Sequence, residues 1–168
     1  MAEQEKNTKT ERKNYSSGSA RRKGRETALF GLFAFEMSGN IDKSEVFDNI
    51  RYLIENDPAD FAGWKEESFV FGKRVFDSVL DNLVKIDGLI TEVSENWNFK
   101  RVTAVDRNIL RIGTAEIVLF DDIPDKVAIN EAIELAKLYS TEKSGTFVNG
   151  ILDPIAFKKK EKSGNGKN

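Results

Sequence analysis

Apolar residues recur at helical spacing along most of the chain, and nothing reads convincingly as a strand. Between residues 104 and 120 they form a wide stripe that runs from Val105 to Phe120. A helix that is apolar over so much of its circumference is typical of a core position, so we predict that this helix is central. The same period predicts further helices over residues 19–38, 44–56, 69–83, 86–97, 126–139 and 144–159.

Local signals set the expected ends of these helices. Ser19 and Thr103 are suitable N-caps for the first and fifth helices. Gly88 predicts a kink between the third and fourth helices, and Pro154 should kink the last one or shorten its regular part. The predicted fold is therefore all-α, a single-domain bundle of about seven helices. A division near residue 86 would give two three-helix subbundles.

Charge is distributed unevenly along the chain. Residues 1–18 are polar and predict a disordered basic arm, residues 19–157 a helical domain, and residues 158–168 a basic disordered tail. Residues 1–25 carry a net charge of +5 and residues 158–168 a net charge of +4. Since the whole chain carries −2, the middle carries −11. Nucleic acid would be attracted to the two ends and repelled by much of the body.

Composition removes several classes of protein. Without cysteine or histidine the chain has no disulfide, no thiolate metal site and no histidine-dependent catalytic triad. Carboxylate or lysine catalysis stays formally open, but Glu131 and Glu134 lie on one helix face with Lys137 and are explained by intrahelical pairing. We therefore expect no enzyme, no cofactor and no metal. The chain has no long apolar run and no secretory signal, which predicts a cytoplasmic protein.

The candidate chemistry is a basic cluster with aromatic neighbours. Four cations occur within five residues near the start of the first helix, namely Arg21, Arg22, Lys23 and Arg25. The helix dipole disfavours cations there, and a bound polyanion would offset that cost. A solvated charged face or an anionic membrane surface would also account for the cluster.

Three phenylalanines, Phe30, Phe33 and Phe35, follow the basic cluster on the same helix. Aromatic rings beside arginines can stack unpaired bases of single-stranded RNA, at about 1–3 kcal/mol per base. Packing in the core is the competing interpretation for each of them, and for Phe147 near the start of the last helix.

Three motifs in order carry a family resemblance. They are the segment 20–29, the segment 106–112 followed by Glu116-Ile117, and the segment 123–137 followed by 147–153. Together they resemble the NusB family of transcription antitermination proteins over about residues 20–157. The resemblance implies an all-helical, non-catalytic protein that binds the boxA element of nascent ribosomal RNA together with NusE, a ribosomal small-subunit protein. That complex makes RNA polymerase resistant to termination.

The resemblance also implies roles for particular residues. Arg21, Arg22, Lys23 and Arg25 match the RNA-contacting arginine-rich segment. Phe33 and Phe147 match aromatic positions near RNA, and Asp106 matches an acid that faces the basic protein NusE. An exposed acid would suit that partner, and a simple helix-start acid is the competing interpretation of Asp106. The chain departs from the family at Phe33, which lacks a phenol hydroxyl, and before Phe147, where Lys143 is gained and a later lysine of the family is lost. Lys143 is therefore a further candidate RNA contact.

Two other functions stay open at this stage. One is a helical protein-interaction adaptor whose basic arm binds polyanions without specificity. The other is a stand-alone relative of the NusB-like module found in ribosomal RNA cytosine-5 methyltransferases, although this chain has no Gly-rich nucleotide-binding unit and no cysteine nucleophile. A homodimer formed through an exposed apolar helix face is also open.

Overall fold

The computed structural model describes residues 2–39, 41–94 and 98–164, with side chains from residue 19 onward. Within these ranges the protein consists of seven α-helices and one short 3₁₀ helix, and it contains no strand. The all-α prediction is confirmed. The helices are α1 (Ala2–Ser38), α2 (Lys43–Glu55), α3 (Glu66–Asp81), α4 (Leu83–Val93), α5 (Ala104–Leu119), α6 (Asp125–Tyr139) and α7 (Ser144–Gly164). No helix in the described ranges is long and apolar enough to cross a membrane.

Helix α5 is the central helix, as its broad apolar stripe predicts. Its Ile109, Leu110 and Ile117 are fully buried. It contacts α1, α3, α4, α6 and α7. Thr103 caps its start by accepting a hydrogen bond from the backbone amide of Asp106, at 3.2 Å. Every face of α5 therefore meets another part of the bundle, which is why polar residues at its ends are drawn into the interior.

The helices form two groups that meet at α5. Helix α1 packs mainly on α3 and also on α2, whereas α4, α5, α6 and α7 pack on one another. The division falls at Asn82, which ends α3 and precedes α4. This corrects the expected kink at Gly88, which lies inside α4 in open space. The grouping is three helices and four, because α4 packs on α5 and α7 instead of extending α3.

The two terminal helices are longer than the sequence pattern predicts. Helix α1 begins at Ala2 instead of Ser19, since residues 2–13 are rich in Glu, Gln, Lys and Arg and contain no glycine or proline. Helix α7 ends at Gly164. Near the end of α7, Lys159 contacts two other parts of the bundle. It donates to the Ile117 carbonyl at 2.6 Å and to Asp125 at 2.9 Å. Trp97, expected at the end of the fourth helix, and residues 165–168 of the expected tail lie outside the described residues.

Candidate functional site

Three of the four predicted cations lie on the surface of α1 and are held by carboxylates. Arg21 pairs with Asp122 at 3.2 Å. Arg22 donates two hydrogen bonds to Glu131 of α6, at 2.8 and 3.0 Å. Although burial raises the pKa of the Glu131 carboxyl, the hydrogen bonds from Arg22 and the nearby positive charges lower it overall. The guanidinium groups are thereby oriented before any ligand arrives.

Lys23 occupies a different environment on the same turn. Its ammonium lies 3.8 Å from the centre of the Trp64 ring, a cation–π contact, and 3.4 Å from Glu26. Its side chain is 28% exposed. Lys23 therefore remains within reach of a surface ligand, although its stem is covered.

Arg25, the fourth predicted cation, lies in the core and not on the surface. It is 3% exposed, and its guanidinium donates to both carboxylate oxygens of Glu116 at 2.7 and 3.1 Å. Burial raises the pKa of the Glu116 carboxyl despite this partner. The periodicity contained the signal, because Arg25 falls on the buried stripe that continues through Ala28, Leu29 and Leu32. Arg25 therefore links α1 to α5 beneath the surface cations.

An arginine of α3 that the sequence analysis did not single out joins this surface. Arg74 donates to both oxygens of Asp122 at 2.7 and 3.0 Å. Asp122 therefore binds Arg74 and Arg21 together. The hydrogen bond from Arg74, with the charges of both arginines, lowers the pKa of Asp122 to about 2. No sequence pattern links positions 21, 74 and 122, so only the packing of α3 against α1 could reveal the group.

The three phenylalanines of α1 differ in exposure. Phe30 packs edge-on against Phe61 and Tyr139, with centroid distances of 6.1 and 5.3 Å. Phe35 is partly buried against the core. Phe33 is 40% exposed. Packing on other aromatic rings accounts for Phe30 and packing on the core accounts for Phe35, whereas Phe33 presents its ring to solvent.

A second cluster surrounds a groove between the starts of α5 and α7. The groove encloses about 1170 Å³, and its lining includes Asp106, Lys143 and Phe147. Lys143 is exposed, whereas Phe147 is half-buried and packs partly on the core. Arg101 also lines the groove, a cation that the sequence analysis did not identify. The fold therefore brings together three of the predicted residues from segments almost forty positions apart.

Asp106 is less exposed than its place at a helix start suggests. It is 8% exposed, and its Oδ2 accepts a hydrogen bond from Ser144 at 3.0 Å. Its Oδ1 is buried, and no residue in the described part of the chain donates to it. Asp106 thus ties the start of α5 to the start of α7. This corrects the expectation of an exposed acid, while one carboxylate oxygen keeps an unused acceptor beside the groove.

The basic cluster and the groove lie at opposite ends of α5. Arg25 meets Glu116 near the C-terminal end of α5, whereas Asp106 lies in its first turn. Ten helical residues separate these positions, which is about 15 Å. Helix α6 contacts α1 beside the basic cluster, where Glu131 binds Arg22 and the hydroxyl of Tyr139 donates to Glu26. The predicted residues therefore fall in two separate patches.

The described residues contain no group of three or more acidic, histidine or cysteine side chains that could hold a metal ion. Fold and surface together define an all-helical domain with oriented guanidinium groups near one end of α5 and a groove that contains Phe147 and Lys143 near the other. The model of the NusB family matches residues 22–157. The chain therefore belongs to the NusB family.

Individual relatives agree with this assignment. The chain is 40% identical over 148 residues to the transcription antitermination protein NusB of Desulfitobacterium hafniense, covering 87% of this chain and 95% of that one. It is 42% identical over 134 residues to NusB of Chloroherpeton thalassium, covering 80% of this chain. It spans only 60% of the length of that relative.

Solved structures show the same fold. NusB of T. maritima superimposes with a TM-score of 0.70 at 39% identity, covering 81% of this chain and 89% of that one. A crystal structure of the antitermination factors NusB and NusE in complex with dsRNA contains a chain with a TM-score of 0.70 at 25% identity. That match covers 83% of this chain and 97% of the other.

Proposed function

We propose that this protein is a transcription antitermination factor that binds the boxA element of nascent ribosomal RNA together with NusE. The bound complex would join the transcription elongation complex and make RNA polymerase resistant to termination. Membership of the NusB family supports this proposal, as do the relatives named transcription antitermination proteins. A related chain has been crystallised with NusE and RNA, which supports the choice of both partners. The proposed role is one of binding, without catalysis, in the cytoplasm.

One observation carries the RNA-binding part of the proposal. Arg21, Arg22 and Lys23 lie at the surface of one helix turn, each beside a carboxylate or a ring that fixes its direction. Guanidinium groups in fixed orientations bind phosphate oxygens in a bidentate manner, and a lysine ammonium binds them as a point charge. These three residues would contact the RNA backbone, and Arg25 would support them from the core.

The aromatic residues would supply base contacts. Phe33 is exposed on the same helix, and Phe147 lines the groove beside Lys143. Stacking on a ring accepts any base, so selectivity for boxA would come from the spacing of the two patches together with NusE. Lys143 would bind a phosphate next to the base on Phe147.

The groove also offers a contact for NusE. The unused acceptor on Asp106 would receive a hydrogen bond from a cationic side chain of this basic partner. Because Asp106 is largely buried, the partner side chain would have to enter the groove. We propose this contact in place of an exposed charge pair.

The test is fluorescence anisotropy with a labelled boxA-type RNA, a scrambled RNA and a boxA-containing duplex, each with and without NusE. Phe147→Leu keeps most of the packing volume and removes the stacking ring. Phe157→Ala is the matched control, since Phe157 is also on α7 but is 64% exposed away from the groove lining. We expect NusE to strengthen selective binding, Phe147→Leu to weaken it by about 1–3 kcal/mol, and Phe157→Ala to leave it unchanged.

Equal binding to the boxA-type and scrambled RNAs, unaffected by NusE and by Phe147→Leu, would contradict the proposal. The basic segment would then be a nonspecific polyanion tether, as the adaptor interpretation predicts. Size-exclusion chromatography of the free protein at several concentrations would show in the same samples whether it forms a homodimer.

A further inference from the structure

Arg74 extends the cationic surface of α1 onto a second helix. It lies on α3, which packs along α1, and its side chain is 44% exposed. Arg21, with 41% of its side chain exposed, shares the carboxylate of Asp122 with it. Two exposed guanidinium groups from different helices are thus held within hydrogen-bonding distance of one carboxylate. A single carboxylate neutralises only one of the two cations.

Both guanidinium groups also rest on aromatic rings. The Arg74 guanidinium lies 3.9 Å from the centre of the Phe120 ring, and that of Arg21 lies 5.3 Å from the centre of Phe71. The two rings meet edge to face with their centroids 6.4 Å apart, and both are buried. Cation–π contacts and a bidentate carboxylate restrict the rotation of a long arginine side chain. The pair is therefore preorganised, which lowers the entropy that binding must overcome.

The remaining donors of the pair suit a phosphate. A guanidinium has five N–H donors, and Arg74 uses two nitrogens on Asp122. The partly exposed edges retain donors for a second anion. Arg22 and Lys23 follow Arg21 directly on α1, so a phosphate bound by the pair would lie within one helical turn of the other surface cations.

We propose that Arg74 is a further RNA-binding residue, which contacts a backbone phosphate jointly with Arg21. The RNA backbone would then continue from α1 onto α3. This inference rests on the proposed RNA-binding function and adds a contact outside the segments that carry the family resemblance. The competing role for Arg74 is purely structural, as a link between α3 and Asp122 after the end of α5.

The test compares Arg74→Ala with Lys73→Ala across a salt series, using the labelled boxA-type RNA with NusE. Lys73 is the preceding residue on the same helix and is 46% exposed, but it pairs with Asp77 and lies over Phe47 of α2. Both variants lose one positive charge. We expect Arg74→Ala to weaken binding about tenfold, as for loss of a charged hydrogen bond, and to make the log–log salt slope shallower by about 0.7. Lys73→Ala should change neither.

Arg74→Lys separates a phosphate contact from a structural link. Lysine keeps the charge but cannot bind a phosphate and Asp122 in the same planar arrangement. We expect Arg74→Lys to keep the wild-type salt slope and to bind RNA with an affinity between those of wild type and Arg74→Ala. Thermal unfolding of Arg74→Ala, Arg74→Lys and Lys73→Ala checks that each is folded at the assay temperature.

The results distinguish this inference from the proposed function. Selective binding by wild type with equal effects of Arg74→Ala and Lys73→Ala would overturn the inference and leave the function standing. RNA binding without boxA selectivity that still depends on Arg74 would support the inference and contradict the function. A wild-type protein that binds no RNA would overturn both.

Discussion

At the scale of single residues, four neighbouring cations occupy different environments. Arg21 and Arg22 are roughly half exposed, Lys23 lies over an indole ring, and Arg25 is inside the protein. Helical geometry explains the difference, because successive residues of α1 point in directions about 100° apart and only one of these directions is the core. A run of charge in a sequence is therefore not automatically a surface patch.

The buried pair of Arg25 and Glu116 leads to a prediction about stability. Glu116→Ala would leave Arg25 charged in the core, with Glu131 at 3.6 Å as its remaining ion-pair partner among the described residues. We expect it to lower the free energy of unfolding by about 3–5 kcal/mol, measured by urea denaturation. Glu134→Ala is the control, since it removes an exposed carboxylate paired with Lys137 and should cost less than about 1 kcal/mol. Equal losses in the free energy of unfolding would show that the buried pair contributes no more to stability than the exposed pair.

Asp122 gives a prediction about pH. Its pKa is lowered in the folded protein from 3.8 to about 2, so its ionised form stabilises the fold above the unfolded pKa. That contribution is lost as the pH falls through the folded value. We expect Asp122→Asn to be less stable than wild type near pH 6, and the difference to shrink as the pH falls below the unfolded pKa of 3.8 towards the folded pKa of about 2. Urea unfolding of both proteins across this range checks it, and a stability difference independent of pH would contradict it.

At the scale of elements, the packing of α1 on α3 depends on two glycines that face each other. A Cβ at Gly24 would lie 2.7 Å from the Ser68 carbonyl oxygen, and one at Gly72 would lie 2.7 Å from the Gly24 carbonyl oxygen. Both contacts are with backbone, which cannot move aside without shifting a helix. The close approach explains why α1 retains a glycine beside its basic cluster despite the cost in helix propensity.

Alanine at the two close-packed glycines and alanine at Gly88 should have opposite effects on stability. Gly24→Ala and Gly72→Ala should each destabilise the protein by about 1–3 kcal/mol, because overpacking outweighs the gain in helix propensity. Gly88→Ala should stabilise it by up to about 1 kcal/mol, since Gly88 is inside α4 with open space around its Cα. Thermal and chemical denaturation measure all three. A stabilising Gly24→Ala would mean that α1 and α3 are not in close contact.

The helices themselves could be predicted from the sequence, whereas several partners could not. Periodicity placed α5 at the centre, and Thr103 gave its start. The break at Asn82 carries no strong sequence signal, because the apolar period continues across it. The burial of Asp106 depends on Ser144, which is distant in the chain. Position in a helix is a local property, but exposure and pairing depend on the tertiary neighbours.

At the scale of the whole molecule, an overall charge of −2 combines an acidic body with basic ends. Most surface carboxylates of the described residues repel RNA, so binding has to be confined to the places where cations outnumber acids. The cluster on α1 is one such place, and the end of α7, with Lys158, Lys160 and Lys162, is another. These two patches lie on different helices, which allows their contributions to be separated.

The salt dependence of RNA affinity shows whether the α1 patch or the α7 patch binds RNA. If Arg21, Arg22 and Lys23 neutralise three phosphates, they contribute about −2 to the slope of log affinity against log salt for single-stranded RNA. We expect substitution of all three by alanine to remove that contribution and most of the affinity for boxA-type RNA. Alanine at Lys158, Lys160 and Lys162 removes the same charge and should leave selective binding intact. Since both triple variants lower the net charge equally, a larger loss with the α7 variant would place the RNA on α7 and contradict a binding surface on α1.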